Sequence, residues 1–544
     1  MTAIGAQLPF PPQVDVPLTY SPSLDRTVKF FIVIVVTLAT SMEFLTSYAV
    51  NVALPDIQGD LSASFDEGSW IITTYMTCFL IALMMSSWLA ARVGYRRYMI
   101  LAVTVFMCSS IGCALSHTLP QMLVFRGFMG FAGGGFLARG QAAIYLTNTG
   151  MARMKALIVF AFGVVGLART FAPAVGGYLT EWYSWRYIFF LNVPLSLAAL
   201  VMLAAFLPDV KAKEDHPRLD IIGLLLLIGW VAPLQIFLSR GERDDWFADP
   251  FIRSMFVTTI VCFALFLWWE ITLRYTHPII SFRAYRSRNF VVGSVFIIVI
   301  GMMLYGQLYV VPQFLRGVQQ HSAWGVGKLE TIDAAGFTVG LYIGALLMKK
   351  VGLRTLLGIG AAVFASGMIL WSVRLTPDIS DAQMYLPLIL TGFGAGWEIG
   401  PVSTLINSQT PAPLFGESME LYLFQRQLGG TWGIAILAIL VDRQRSFWSS
   451  RLGESLNYLS LGTQDALREG AAALGLAGLP HSQAQAAAVG LLHARLMIQS
   501  VVNAFVDTFR YQAALGVFAF VLVLFFARGH PISTARRWIV QMVR

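Results

Sequence analysis

Seven ionisable side chains stand inside long apolar runs of this chain: Glu43, Arg126, Arg139, Arg169, Asp333, Glu398 and Arg426. A charge at membrane depth is costly, so each of them marks a candidate site. Carboxylates in such places can take up and release protons as water access changes, and neighbouring guanidinium groups can set when they ionise. Glu43 is the first candidate for proton exchange; its alternative role is a structural partner for a buried arginine. Arg126 and Arg139 share one apolar run and could act on Glu43, although Arg139 could equally bond carbonyls or hold an anionic ligand. Asp333, one turn from Glu330, and Glu398, within Gly392-Phe393-Gly394-Ala395-Gly396-Trp397-Glu398-Ile399-Gly400-Pro401, could bind a proton or a substrate. Arg169 is expected to pack or pair with another charge, although together with Arg139 it would favour an anionic over a purely cationic substrate, and Arg426 is expected to contact lipid headgroups or a helix end.

The elements that must hold these groups are helices. A bilayer core about 30 Å thick needs about 20 apolar residues per helical span, because every backbone polar group must be satisfied within the segment. Fourteen runs of that kind are predicted, at 29–51, 68–90, 97–116, 121–146, 154–178, 187–207, 220–238, 253–273, 290–314, 327–348, 353–373, 384–406, 422–441 and 510–528. They predict an all-α polytopic membrane protein of six helices, two inserted helices and six more. The division is a cytoplasmic tail 1–28, a bundle 29–207, a linker 208–273 with the two inserted helices, a bundle 274–528 and a tail 529–544. A long outer loop is expected at 442–509; apolar Val489, Leu492, Leu496, Val501 and Phe505 predict an amphipathic helix there, either a spacer or a docking surface. The loop Leu89-Ala90-Ala91-Arg92-Val93-Gly94-Tyr95-Arg96 recurs in the second half as Leu347-Met348-Lys349-Lys350-Val351-Gly352-Leu353-Arg354. Parallel repeats build many secondary transporters, with a central site between the halves.

With 57% hydrophobic and 12% charged residues, the chain has no room for a large soluble domain. Its net charge of +9 does not point to nucleic acid, since the basic residues lie at helix ends and in loops. Five alternate loops carry about 15 of them and the intervening short loops about 7, which places both termini in the cytoplasm. The first outer loop is instead acidic, with Asp56, Asp60, Asp66 and Glu67. The N-terminal stretch lacks a signal-peptide pattern, and all four cysteines fall in predicted helices without metal spacing. The seven histidines lie in loops or at helix ends with no nucleophile–base pair and no phosphate-cradling glycine loop, which argues against a membrane enzyme, a cofactor or ATP hydrolysis.

Several ordered stretches justify a family comparison. Asn51-Val52-Ala53-Leu54-Pro55-Asp56-Ile57 is followed by Leu61, Trp70 and Tyr75; Ser87-Trp88-Leu89-Ala90-Ala91-Arg92-Val93-Gly94-Tyr95-Arg96-Arg97 ends the second run. Met122-Leu123-Val124-Phe125-Arg126-Gly127-Phe128-Met129-Gly130 opens the fourth, and Ala168-Arg169-Thr170-Phe171-Ala172-Pro173-Ala174-Val175-Gly176-Gly177 lies in the fifth. Trp185-Arg186-Tyr187-Ile188-Phe189-Phe190-Leu191-Asn192-Val193-Pro194 and Arg426-Gln427-Leu428-Gly429-Gly430-Thr431-Trp432-Gly433-Ile434-Ala435 complete the set. Together they resemble the fourteen-helix drug:proton antiporters of the major facilitator superfamily, of the EmrB/QacA type. Ser87 stands where glycine is usual, and Ala91 where the superfamily's gating aspartate sits. Thr46 occupies the position of the usual first-helix aspartate, and Glu43 one turn earlier resembles a displaced version of it.

The resemblance implies a major facilitator fold that exports lipophilic or aromatic toxic compounds across the inner membrane in exchange for protons. Glu43, Thr46, Arg126, Arg139, Glu398 and Asp333 would serve proton or substrate. Arg92, Gly94, Arg96, Pro173, Gly176 and Gly177 would serve the conformational change. It also implies membrane lipids, a periplasmic adaptor and a TolC-like outer-membrane channel as partners. A dedicated exporter of an endogenous metabolite, such as a siderophore or aromatic acid, is the alternative.

Overall fold

The computed structural model describes residues 25–208, 220–272, 282, 285, 287–348, 350–407, 415–456, 461–477 and 479–526. Of the 15 basic residues counted in the five cationic loops, Lys211, Lys213, Arg218, Arg274, Arg283, Arg286 and Lys349 lie outside the described residues, as do most of both tails. No strand occurs among the described residues.

The first half comprises α1 (Arg26–Asp60), α2 (Phe65–Val93), α3 (Tyr95–Ala114), α4 (Leu119–Gly133), α5 (Phe136–Thr147) and α6 (Gly150–Ala161). A π-helical stretch Phe162–Arg169 then leads into α7 (Thr170–Trp182), α8 (Arg186–Phe190) and α9 (Asn192–Phe206). An inserted hairpin, α10 (Ile221–Arg240) and α11 (Pro250–Thr272), precedes the second half. That half holds α12 (Arg288–Gly317), α13 (Ala323–Leu347), α14 (Leu353–Arg374), α15 (Asp381–Asn407), α16 (Phe415–Ser455), α17 (Leu461–Leu476) and α18 (His481–Phe526).

Among the described residues, 11 helical stretches are long and apolar enough to cross a membrane. The other three expected runs fall on α4 with α5, which break apart at Gly134 and Gly135, on α15, and inside α16. Leu346, Val373 and Val201 are among many large apolar side chains left exposed, as a lipid-facing surface requires. Within the first half α2 packs on α4, and α1 on α7 and α9; within the second, α13 packs on α15, α12 on α16, and α14 on α15 and α18.

Local chemistry sets the helix ends. Ser64 and Glu67 form a reciprocal capping box at the start of α2, with bonds of 3.3 and 3.0 Å. Gly94, between α2 and α3, has φ of 95°, a conformation that side-chain-bearing residues rarely adopt. Its counterpart in the repeat, Gly352, has φ of −64°. Gly94→Ala is therefore expected to cost about 1–2 kcal/mol, lowering the thermal unfolding midpoint in detergent, while Gly352→Ala leaves it in place.

In the segment 442–509 the expected amphipathic helix is present within α18, and most of the described residues before it are helical as well. α16 runs on to Ser455, α17 follows, and α18 is helical from His481 to Phe526. Hydropathy falls there, but alanine, glutamine, leucine and arginine all favour helix in water as well as in lipid. At 1.5 Å per residue, α16 is about 60 Å long and α18 about 70 Å, roughly twice the hydrocarbon thickness. α17 packs on α18, and the Trp448 indole donates to Asp507 at 2.7 Å, tying the two long helices together.

Candidate functional site

Glu43 is buried midway along α1, where its carboxylate accepts bonds from Ser47 and from the Tyr75 hydroxyl of α2, both at 3.3 Å. The Arg126 guanidinium of α4 lies 4.4 Å over the Tyr75 ring, and its Nε donates to the Ile71 carbonyl at 3.1 Å. Tyr75 thus links the carboxylate to the cation. Thr46 faces elsewhere: it exchanges hydrogen bonds with the Asn192 side chain of α9, the shorter at 2.9 Å, inside the first half.

From the second half, Arg426 comes within electrostatic reach of Glu43, Tyr48 and Tyr305. Arg426 was expected at a helix end or among headgroups, and the structure corrects this. Because α16 starts at Phe415, Arg426 lies about three turns inside the helix.

Arg169 ends the π-helical stretch and is 1% exposed. π-Helical turns shift the helical register by a residue and recur at functional sites. The Arg169 guanidinium carbon lies 3.2 Å from the ring centre of Phe337 on α13 and 5.2 Å from that of Tyr48 on α1. The expected packing is present, but apart from the neighbouring Tyr48 hydroxyl none of its three nitrogens meets a hydrogen-bond partner. Glu330 and Asp333 of α13 act on it only at longer range, and no ion pair to Arg169 occurs among the described residues.

Asp333 is buried and accepts bonds from Gln307 of α12 at 2.7 Å and Thr391 of α15 at 3.2 Å. Glu398 is fully buried beside Gly360 of α14, and neither of its oxygens has a hydrogen-bond partner. It faces the α14–α15 interface. A buried polar group without a partner costs free energy. Glu398→Met is accordingly expected to stabilise the fold by about 1–2 kcal/mol, read as a raised thermal midpoint.

The halves meet at both ends. At the Gly94 end, Arg139 of α5 forms an ion pair with Glu420 of α16, which also accepts from Ser87 of α2 at 3.4 Å. The Tyr95 hydroxyl donates to the Arg139 carbonyl. Nearby, Arg92 lies over Trp88 at 5.6 Å, and Arg96 donates to the Ala204 carbonyl of α9. At the opposite end, Asp56 of α1 pairs with Arg316 of α12, and Glu181 of α7 accepts from the Ala323 amide at 3.0 Å. Trp324 packs edge-on against Trp182 at 5.5 Å.

Along this seam α7 lies directly on α13. Gly177 abuts the Ala323 backbone and Gly176 the Ala49 backbone, so a side chain at either would push the helices apart. The Pro173 carbonyl meets Gly327 in turn. Glu43, Arg169 and Arg426 therefore lie between two sets of contacts joining the halves. Sequence reasoning named Tyr75 only within the family's opening stretch and did not single out Tyr48, Gln307 or Glu420; all four act through neighbours distant in the chain.

A family model described as Major Facilitator Superfamily matches residues 36–434. The chain is 28% identical over 425 residues to the multidrug export protein EmrB of Escherichia coli K12, covering 78% of this chain and 82% of that protein. It is 27% identical over 448 residues to the fatty acid resistance protein FarB of Neisseria gonorrhoeae, covering 82% and 86%. In fold it is similar to the POT family transporter PepTSo, with a TM-score of 0.60 at 14% identity, covering 91% of this chain and 97% of the other.

Proposed function

Since the chain belongs to the Major Facilitator Superfamily and is a membrane transporter, we propose that it exports lipophilic or aromatic toxic compounds in exchange for protons. The observation that carries this reading is the buried Glu43 carboxylate, flanked by Tyr75 and Arg126 from its own half and by Arg426 from the other. A carboxylate held at the junction of two moving bodies meets water from one side and then the other. It binds a proton where protons are abundant and yields it where they are scarce.

The two bundles, 29–207 and 274–528, would rock about this centre, closing at the Gly94 end as they open at the Asp56 end. Pro173 and Gly177 supply the close seam on which α7 and α13 turn, while Gly176 seats α7 on α1 within the first half. The chain would sit in the inner membrane with both termini in the cytoplasm, and Arg92 and Arg96 would anchor the inner face. Asp333 is the second candidate carboxylate, held by Gln307 and Thr391 in the second half. The relatives named for multidrug export and for fatty acid resistance support a lipophilic substrate. A periplasmic adaptor and a TolC-like channel complete the proposed pump, with the α16–α18 projection as the place of contact.

The test is proton release from energised inverted vesicles containing the protein, followed with a pH-sensitive dye while lipophilic cations, acids and neutral compounds are added. Dye recovery with some of them, absent from vesicles lacking the protein, is the expected result. No recovery with any compound would remove the antiport reading.

A further inference from the structure

We propose that Arg169 holds the anionic group of a lipophilic acid, whose flat body lies against the rings of Tyr48 and Phe337. The inference rests on the export reading above but not on proton coupling. A guanidinium offers five N–H donors in a planar fork that fits a carboxylate with two parallel bonds. In Arg169 that fork is buried, and apart from the close approach of the Tyr48 hydroxyl its nitrogens make no hydrogen bond. Leaving such donors unmade is costly, so their unoccupied state suits a ligand that arrives during the cycle.

The surroundings balance the charge without filling the donors. Glu330 and Asp333 act on Arg169 from a distance, and Asp333 Oδ1 is already engaged by Gln307 and Thr391. The nearest cover is aromatic, and Phe337 belongs to the opposite half. Next to Arg169, the Thr170 hydroxyl meets that of Thr338 across the same boundary at 2.9 Å. Parting the halves therefore lifts Phe337 away and opens the fork to the widening space. Arg426 also has an unpartnered Nε and shares Tyr48 as a neighbour with Arg169, which adds a second positive charge. With its charge balanced at a distance and its donors unfilled, Arg169 selects by hydrogen bonding, and the ring faces around it suit a monoanion with an aromatic or similarly flat apolar body.

The test compares 2-naphthoate with the uncharged 2-naphthamide, both titrated calorimetrically against the purified protein in nanodiscs. Wild type should bind the acid at least about tenfold more tightly than the amide, as one strong charged contact provides. Arg169→Gln should erase that preference while keeping the affinity for the amide, which also certifies its fold; Arg169→Lys should retain part of it. If neither variant is stable, the wild-type preference decides alone. Equal binding of acid and amide by wild type, no binding of either, or an undiminished preference in Arg169→Gln overturns the site. Arg169-dependent binding of naphthoate, together with no transport of any compound in vesicles, would uphold the site and overturn the export reading.

Discussion

Glu43→Gln abolishes substrate-driven proton release while leaving the protein folded and able to bind substrate. Glutamine keeps the shape of the side chain and its bonds from Tyr75 and Ser47, but it can neither lose nor gain a proton near neutrality. If Glu43 carries the coupling, the linkage between proton and substrate falls by roughly a hundredfold, equivalent to about 3 kcal/mol. The measurement is dye recovery in inverted vesicles beside substrate binding in detergent. Release that persists in Glu43→Gln would move the coupling role to Asp333, whose own Gln307–Thr391 cradle makes it the next group to replace.

Arg139→Glu should impair export, and the double variant Arg139→Glu with Glu420→Arg should restore most of it. The pair joins α5 to α16 with side chains 13% and 22% exposed. Breaking a buried pair by removing one partner costs about 3–5 kcal/mol; partial exposure lowers that here to about 2 kcal/mol, roughly thirtyfold in the balance between closed and open states. The sequence showed that the superfamily's gating aspartate is absent at Ala91 and that serine replaces the usual glycine at 87. The structure joins these two departures: the Ser87 hydroxyl donates to the very carboxylate, Glu420, that receives Arg139. A latch at this end therefore exists without the aspartate, built from the opposite half. Transport rates of the single and double variants decide the matter, and a double variant as inactive as Arg139→Glu would remove the latch.

Much of this architecture was legible because hydropathy and helix geometry are local. Runs of apolar residues marked the helices, and the rarity of charge within them marked Glu43, Arg126, Arg169 and Glu398. The partnerships were not legible, because they join residues far apart in the chain. Arg139 meets Glu420 across 281 positions, and Glu420 itself had been assigned to a loop before a span starting at 422. The same misplaced start put Arg426 at a helix end, although a polar first turn extends α16 back to Phe415. Arg169 looked like a packing residue, and it does pack; its empty hydrogen-bonding capacity is a property only of its surroundings. Within 442–509 the expected amphipathic helix is present as the first part of α18; the helical extension of α16 and α17 were not legible, because loss of hydropathy marks where a helix leaves the lipid, not where it ends.

The two long helices are levers. α16 carries Arg426 at the centre of the molecule and continues unbroken to Ser455, and α18 returns alongside it from His481. With about 45 Å of rigid helix between the pivot and the tip, a tilt of about 10° sweeps the far end through about 8 Å. Events at the scale of a proton are thereby magnified into a displacement that a bound neighbour could feel directly.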